Sequence, residues 1–212
     1  MPAISLPFIS MTVLHIYTIY STHNPGRLLP TQTSKTMGPS RSIPCLVLLL
    51  VIASSRASVL EDTCKSFAAG HPGIGYDYCI KFFQASKDSA TADKRGLAVI
   101  ASKLAGAAAS SIVDRIHALV ASEKDKRIQM GLDDCEQLYS QAVDELDRAA
   151  KGVAAGTPRG KADAAAYVNG ALGAPRTCET GFEETGVESP LVAEDSEFTK
   201  EVYITLDIVH SL

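Results

Sequence analysis

The chain has 212 residues, 46% hydrophobic and 6% aromatic with no Trp, which is enough for one domain with a proper core. Residues 1–57 hold four basic residues and no acidic one. Residues 58–212 therefore keep 16 of the 20 basic residues and all 24 acidic ones, a net charge of −8. An acidic domain of this size argues against binding nucleic acid or an anionic membrane.

Residues 37–57 have the pattern of a secretory signal peptide. Arg41 follows Met37, residues 43–53 form an apolar run, and Ser55 and Ala57 are small residues that permit cleavage after Ala57. The run is shorter than the roughly 20 residues of a transmembrane helix. Its flanks also fit a signal better than an ordinary buried helix. We therefore predict a secreted mature chain, residues 58–212, with no membrane association.

Residues 1–36 precede this signal. A signal peptide normally begins a chain, so we interpret residues 1–36 as a gene-model extension upstream of a start at Met37, or as a disordered leader. A membrane anchor over residues 4–20 is the rival interpretation, which Pro7 and His15 weaken.

The mature chain is predicted to open with a small helical hairpin. Residues 58–61 have the S-x-x-E pattern of a capping box that opens a short helix through residues 64–69. Residues 70–75 have the pattern of a glycine- and proline-rich turn, and residues 76–84 that of a second short helix. Because helices this short are marginal alone, we expect a disulfide or a packing surface to hold the hairpin.

Two long amphipathic helices are predicted next, because apolar stripes at helical spacing bury one face against other helices. The stripe of the first helix, which ends near Ser122, comprises Leu97, Ile100, Leu104, Ala108, Ile112, Ile116 and Leu119. The stripe of the second, over residues 126–153, has heptad spacing and comprises Ile128, Leu132, Cys135, Tyr139, Ala142, Leu146, Ala149 and Val153.

The third long helix is predicted over residues 161–172, after a loop at residues 157–160. Pro175 predicts a kink or a break after it, because proline lacks the amide donor and clashes with the preceding turn. The last helix, residues 191–209, turns four apolar residues inward: Phe198, Val202, Leu206 and Val209. Four long helices and short loops predict an all-α, up-down-up-down four-helix bundle with the hairpin at its N-terminal end.

The cysteines predict two disulfides. Cys45 lies inside the signal, which leaves Cys64, Cys79, Cys135 and Cys178 in the mature chain. An even number in a secreted domain indicates disulfides, and four cysteines allow three connectivities. Sequence separation favours Cys64 with Cys79 and Cys135 with Cys178. A zinc site is the competing interpretation, but it favours close C-x₂-C pairs, which are absent from the sequence.

Motifs for catalysis are missing from the sequence. It contains no H-E-x-x-H, no E-x-x-H and no G-x-S-x-G segment. The histidines of the mature chain are far apart: His71, His117 and His210. The acidic pairs at residues 133–134 and 183–184 point in different directions on a helix, so solvated faces explain them better than acid–base chemistry. We predict no catalytic residue, no metal site, no cofactor and no enzyme activity.

Several segments resemble the plant invertase and pectin methylesterase inhibitor family, and together they span the mature chain. They are Asp62-Thr-Cys64, Tyr76-Asp-Tyr-Cys79, Gly96-Leu-Ala-Val-Ile100, CEQLYSQAVDEL at residues 135–146, NGAL at residues 169–172 and TCETGF at residues 177–182. The resemblance is nearest to the pollen-allergen-like invertase inhibitors, which share the Y-D-[FY]-C and G-L-x-V-I patterns.

The resemblance implies an extracellular or apoplastic protein, or a vacuolar one, that occludes a carbohydrate-active enzyme in a stoichiometric complex. It also implies the cysteine pairing that sequence separation favours. We expect a cell-wall or vacuolar invertase as the target, with pectin methylesterase as the alternative. The Pro-Lys-Phe triplet associated with invertase-directed members is absent, and the closest loop sequence is Thr157-Pro158-Arg159. These three residues are the candidate target contacts.

Two departures from the family pattern accompany the match. Asn169 and Gly170 replace the usual Ser-Ala, and Pro175 lies where the family helix continues. Because a fold does not fix a function, a non-inhibitory structural or pollen-coat bundle is the alternative of another class.

Overall fold

The computed structural model describes residues 59–212. The predicted signal peptide and the segment before it, with Ser58, lie outside the described residues. Residues 59–212 form helices and connecting turns, without strands. The helices are α1 (residues 59–70), α2 (Gly75–Gln84), α3 (Lys94–Ser122), α4 (Lys126–Ala154), α5 (Pro158–Thr185) and α6 (Val192–His210).

Helices α3 to α6 form the predicted up-down-up-down four-helix bundle. Each packs on the next in chain order, and α3 also packs on α6, so the four helices close a ring. Their connections are short, which makes successive helices antiparallel. The prediction of an all-α bundle is confirmed.

Helices α1 and α2 form the hairpin, and a disulfide between Cys64 and Cys79 joins them. Phe67 and Phe83 are fully buried beside it. Closing this loop, with a sequence separation of 15, stabilises the folded state by about 3 kcal/mol in the chain-entropy model. Two short helices are thereby held in place.

The Asp93 side chain caps the start of helix α3 by accepting a hydrogen bond from the Gly96 amide at 2.7 Å. Its predicted stripe is partly wrong. The positions Ile100, Leu104 and Ala108 are only half-buried. Leu97, Ile112 and Ile116 are buried as predicted, and the other buried positions are small residues: Ala98, Ala101, Ser102, Ala105 and Ala109. Small side chains let neighbouring helices approach closely, so the bundle buries them in preference to larger ones.

Helix α4 buries the stripe that its sequence predicts. From Leu132 to Val153 the predicted positions are buried, and Ile128 is half-buried. Cys135 lies on this face and forms a disulfide with Cys178 of α5, with their Cα atoms 5.0 Å apart. Closing a loop with a separation of 43 residues stabilises the folded state by about 4 kcal/mol in the chain-entropy model.

Helix α5 runs without interruption through Pro175, so the predicted break is wrong. The proline leaves the Ala171 carbonyl without its helical partner. Both residues are buried between the neighbouring helices, and Cys178 fixes the following turn to α4. This packing and the disulfide outweigh the local cost of the proline. The helix ends at Gly186, whose positive φ of 68° suits glycine.

Helix α3 is long and apolar enough to cross a membrane by length and composition. In the structure it is a bundle helix, and its larger apolar residues pack against the core or lie within it. Within residues 59–212, the large apolar side chains that are exposed lie outside α3: Met130, Val192, Tyr203 and Leu212.

Candidate functional site

The predicted target contacts lie where α4 ends and α5 begins. We call this segment, residues 155–161, the tip. Thr157 caps α5, because its hydroxyl accepts a hydrogen bond from the Gly160 amide at 3.0 Å. Pro158 is the first helical residue, a position where its fixed φ and missing donor are favourable. Pro158 and Arg159 therefore lie in the first turn of α5, which corrects the predicted loop at residues 157–160.

Glycines give the tip its shape, and the sequence analysis did not single them out. Gly156 has a positive φ of 67°, which glycine adopts without strain. A Cβ atom at Gly160 would collide with the carbonyl oxygen of Gly152. The missing side chain at Gly160 therefore lets α5 approach Gly152 of α4 closely, next to Thr157 and Pro158.

Arg159 presents a positive charge at the tip. Its side chain is 92% exposed, and its ion pair with Asp163 of the same helix has an N–O distance of 3.7 Å. Exposed pairs of this kind contribute little to stability. The guanidinium therefore stays available for a carboxylate outside the chain.

A depression of about 250 Å³ lies beside the tip. Arg95 of α3 and Lys161 of α5 contribute basic side chains to its lining, and Lys161 donates a hydrogen bond to the His210 carbonyl at 2.9 Å. Three basic residues thus surround this end of the bundle, although residues 58–212 carry a net charge of −8. An acidic partner surface would complement the tip.

A larger cleft of about 560 Å³ lies between α5 and α6. Its walls include Val192, which is 52% exposed, and Tyr203, which is 37% exposed. Glu179 and Asp195 line its floor. The cleft therefore combines apolar walls, open to solvent, with a carboxyl pair beneath them.

The floor joins three helices of the bundle. Asp195 of α6 is only 4% exposed, and it accepts a short hydrogen bond from the Tyr139 hydroxyl of α4. Glu179 of α5 lies beside Asp195. The sequence analysis placed Tyr139 in an apolar stripe and did not single out the two acids. A buried Tyr usually has a hydrogen-bond partner. Tyr139 in an apolar stripe was therefore the one indication in the sequence of a buried polar group.

Burial raises the pKa of Asp195 to about 8, and the neighbouring carboxyl group of Glu179 acts in the same direction. The hydrogen bond from Tyr139 opposes this shift, because it stabilises the carboxylate. Burial also raises the pKa of the Tyr139 hydroxyl, followed by the charge of Asp195. The tyrosine is therefore a neutral donor throughout the physiological range.

Cys178, Glu179 and Asp195 bring one sulfur and two carboxyl oxygens within 4.8 Å of one another, a spacing that a metal ion could use. The sulfur belongs to the disulfide with Cys135 and is not a thiolate ligand. Two carboxyl oxygens remain, whereas Ca²⁺ takes about six to eight oxygens. The chemistry of these donors does not suit a metal ion.

The hairpin contacts the bundle through a second acidic cluster on α6. The Tyr78 hydroxyl of α2 donates a hydrogen bond to Glu197 at 2.8 Å, and Lys200 donates to the same carboxylate at 2.5 Å. Lys200 lowers the pKa of Glu197. Burial, followed by the charge of Glu197, raises the pKa of Glu201 to about 7.

The three histidines within residues 59–212 do not converge on a site. His71 stacks on Phe67 within the hairpin, with ring centroids 4.5 Å apart. His117 lies 3.7 Å from a carboxylate oxygen of Glu136 on the bundle surface, and His210 ends α6. These separate positions give no pair suited to acid–base chemistry.

Comparison with known proteins gives a match over most of the chain. The family model described as "Plant invertase/pectin methylesterase inhibitor" matches residues 58–208. A "Putative invertase inhibitor" of Platanus acerifolia is 34% identical over 78% of this chain and 92% of its own. Its namesake from Platanus orientalis is 32% identical over 74% and 91%.

Two further comparisons concern targets and fold. A "Cell wall / vacuolar inhibitor of fructosidase 2" of Arabidopsis thaliana is 30% identical over 46% of this chain and 52% of its own. The crystal structure of a mutant form of a pectin methylesterase inhibitor from Arabidopsis superposes with a TM-score of 0.55 at 22% identity, over 65% of this chain and 89% of that one. This structural likeness shows a shared helical fold.

Proposed function

The chain belongs to the plant invertase/pectin methylesterase inhibitor family, and we propose that it inhibits an invertase of the cell wall or vacuole. Its family makes it a proteinaceous inhibitor of an enzyme of one of these two kinds, and not an enzyme itself. The choice of invertase rests on one observation: the two Platanus relatives, matched over most of their length, are both named for invertase.

In this proposal the tip enters the active-site cleft of the target and blocks it in a stoichiometric complex. Most glycosidases cleave their substrate with a pair of carboxylates. The exposed guanidinium of Arg159 can donate two parallel hydrogen bonds to such a carboxylate. Thr157 and Pro158 precede it at the most exposed part of the turn.

The tip is also preorganised for binding. The Thr157 cap, the proline at the first helical position and the close approach at Gly160 fix the backbone that carries Arg159. A rigid contact segment loses little conformational entropy in a complex, so more of its interaction energy appears as affinity.

Secretion to the apoplast, or delivery to the vacuole, belongs to the same proposal. The signal pattern at residues 37–57 supports it. The Arabidopsis relative named as a cell wall and vacuolar inhibitor supports it as well. Two disulfides suit such an oxidising compartment.

An inhibition assay with paired variants tests the proposal. We expect the purified protein to inhibit an acid invertase at mildly acidic pH. Arg159→Glu should raise the inhibition constant by about 30-fold or more, the loss expected of a binding hot spot. Lys124→Glu makes the same charge change in the exposed turn between α3 and α4, at the other end of the bundle. This control should inhibit as the unmodified protein does.

Pectin methylesterase is the second candidate, favoured by the family that the chain shares and by the missing Pro-Lys-Phe triplet. The same assay with a pectin methylesterase distinguishes the two targets. Inhibition of the esterase alone would overturn the choice of invertase. If neither enzyme lost activity, the non-inhibitory structural bundle would be the better interpretation.

A further inference from the structure

Two carboxyl oxygens at the floor of the α5–α6 cleft have no hydrogen-bond donor. They are Oδ2 of Asp195 and Oε1 of Glu179, and both are sealed from solvent. The two carboxyl groups bring an oxygen of each within 4.8 Å of the other. A buried acceptor left unpaired is costly, so the arrangement requires an explanation.

A ligand in the cleft above cannot supply the missing donor, because neither oxygen is accessible from the cleft. A salt bridge does not supply it either, since within residues 59–212 neither acid forms one. Two carboxyl groups that lie together can satisfy each other only if one of them carries a proton, as in other carboxyl dyads.

We propose that Glu179 and Asp195 share one proton, and that the resulting hydrogen bond fastens α6 to α5 over the Cys135–Cys178 disulfide. A single proton gives the pair one donor and leaves it one negative charge. The Tyr139 hydroxyl then donates from α4 to the other side of Asp195. The shared proton thus completes a hydrogen-bonded junction of three helices.

The surroundings of Asp195 favour retention of this proton. Glu194 precedes it on α6 and adds negative charge, while Arg115 of α3 lies 3.5 Å from Glu194. From α5, Glu179 is the acid that faces it, and Arg176 lies on the exposed rim of the cleft. Tyr139 of α4 is neutral. The raised pKa of Asp195 agrees with this environment.

The consequence is a bundle that is more stable in acid. In the unfolded chain Asp195 loses its proton near its ordinary pKa of about 3.9, whereas in the folded chain burial raises the pKa of Asp195 to about 8. Between these values the folded state binds more protons, so stability falls as the pH rises. The junction is fully formed at the pH of an acidic compartment.

Infrared spectroscopy tests the shared proton directly, because a protonated carboxyl group has a carbonyl band distinct from that of a carboxylate. Glu201 also has a raised pKa, so the experiment uses the full chain with Glu201→Gln. At about pH 7 ordinary carboxyls are ionised. We expect one protonated-carboxyl band in this protein, and its loss when Asp195→Asn or Glu179→Gln is added, since an amide can donate in place of the proton.

A matched control is Glu183→Gln, an exposed acid one turn further along α5, which should leave the band unchanged. Thermal unfolding gives a second readout. Between about pH 5 and pH 9 the melting temperature of the Glu201→Gln protein should fall by on the order of 10 °C, and Asp195→Asn should flatten this dependence. Absence of the band, or its survival in both amide variants, would overturn the proposal even if one variant failed to fold.

Discussion

The tip and the floor of the α5–α6 cleft use charged side chains in opposite ways. Arg159 at the tip is almost fully exposed, and its single ion pair is long, at 3.7 Å. Asp195 at the floor is 4% exposed, accepts a hydrogen bond from Tyr139 of α4 and lies beside Glu179 of α5. The guanidinium of Arg159 remains free for a partner, whereas burial disfavours the ionised form of Asp195.

This difference separates the residues that bind from those that hold the fold. A change at the tip removes little internal packing, so inhibition should fall while stability stays almost constant. A change at the floor breaks contacts among α4, α5 and α6, so stability and its pH dependence should change while inhibition persists.

The disulfide beneath the floor should give the largest loss of stability. Replacing both partners, Cys135→Ser with Cys178→Ser, removes the link between α4 and α5 and should lower the free energy of unfolding by about 4 kcal/mol. Urea unfolding at about pH 5 measures this loss. Inhibition by the fraction that remains folded should be unchanged. Loss of inhibition in a fully folded variant would contradict the separation of floor and tip.

Tyr139→Phe should have a smaller effect on stability and a distinctive effect on pH dependence. The variant leaves Asp195 without its donor from α4, which should lower the free energy of unfolding by about 1–3 kcal/mol. Because the hydrogen bond from Tyr139 lowers the pKa of Asp195, its removal should raise that pKa further. Stability should then continue to fall at higher pH than in the unmodified protein.

Urea unfolding over a series of pH values measures both effects. Tyr203→Phe is the matched control, because it makes the same change on the exposed wall of the cleft. It should leave the pH profile as it was. A parallel profile for Tyr139→Phe and the unmodified protein would show that the tyrosine does not act on the acid pair.

The sequence predicts the bundle well where the pattern depends on one helix alone. The heptad stripe of α4 is such a case, and its predicted positions are buried almost throughout. The sequence predicts less well where contacts with neighbouring helices determine which residues are buried or whether a helix continues. The small residues of α3, such as Ala101 and Ala105, take the deepest positions, and packing on both sides of α5 carries the helix through Pro175.

The floor could not be predicted from the sequence, for a related reason. Tyr139, Glu179 and Asp195 lie on three helices, and their chemistry arises only when the bundle brings them together. The tip was predicted as a loop at residues 157–160, although Thr157 followed by Pro158 has the pattern of a helix start. The basic residues around the tip could not be predicted, since Arg95 comes from the first turn of α3, which is distant in the sequence.

Thr157→Ala should give the smallest loss of stability and still affect inhibition. The variant removes the hydroxyl that accepts from the Gly160 amide, and the loss of such a cap lowers the free energy of unfolding by about 1 kcal/mol. It also loosens the backbone that carries Arg159, so inhibition should weaken several-fold. Thr157→Ser keeps the cap and should restore both properties. If the serine variant regained stability but not inhibition, the threonine methyl group would itself be a contact with the target.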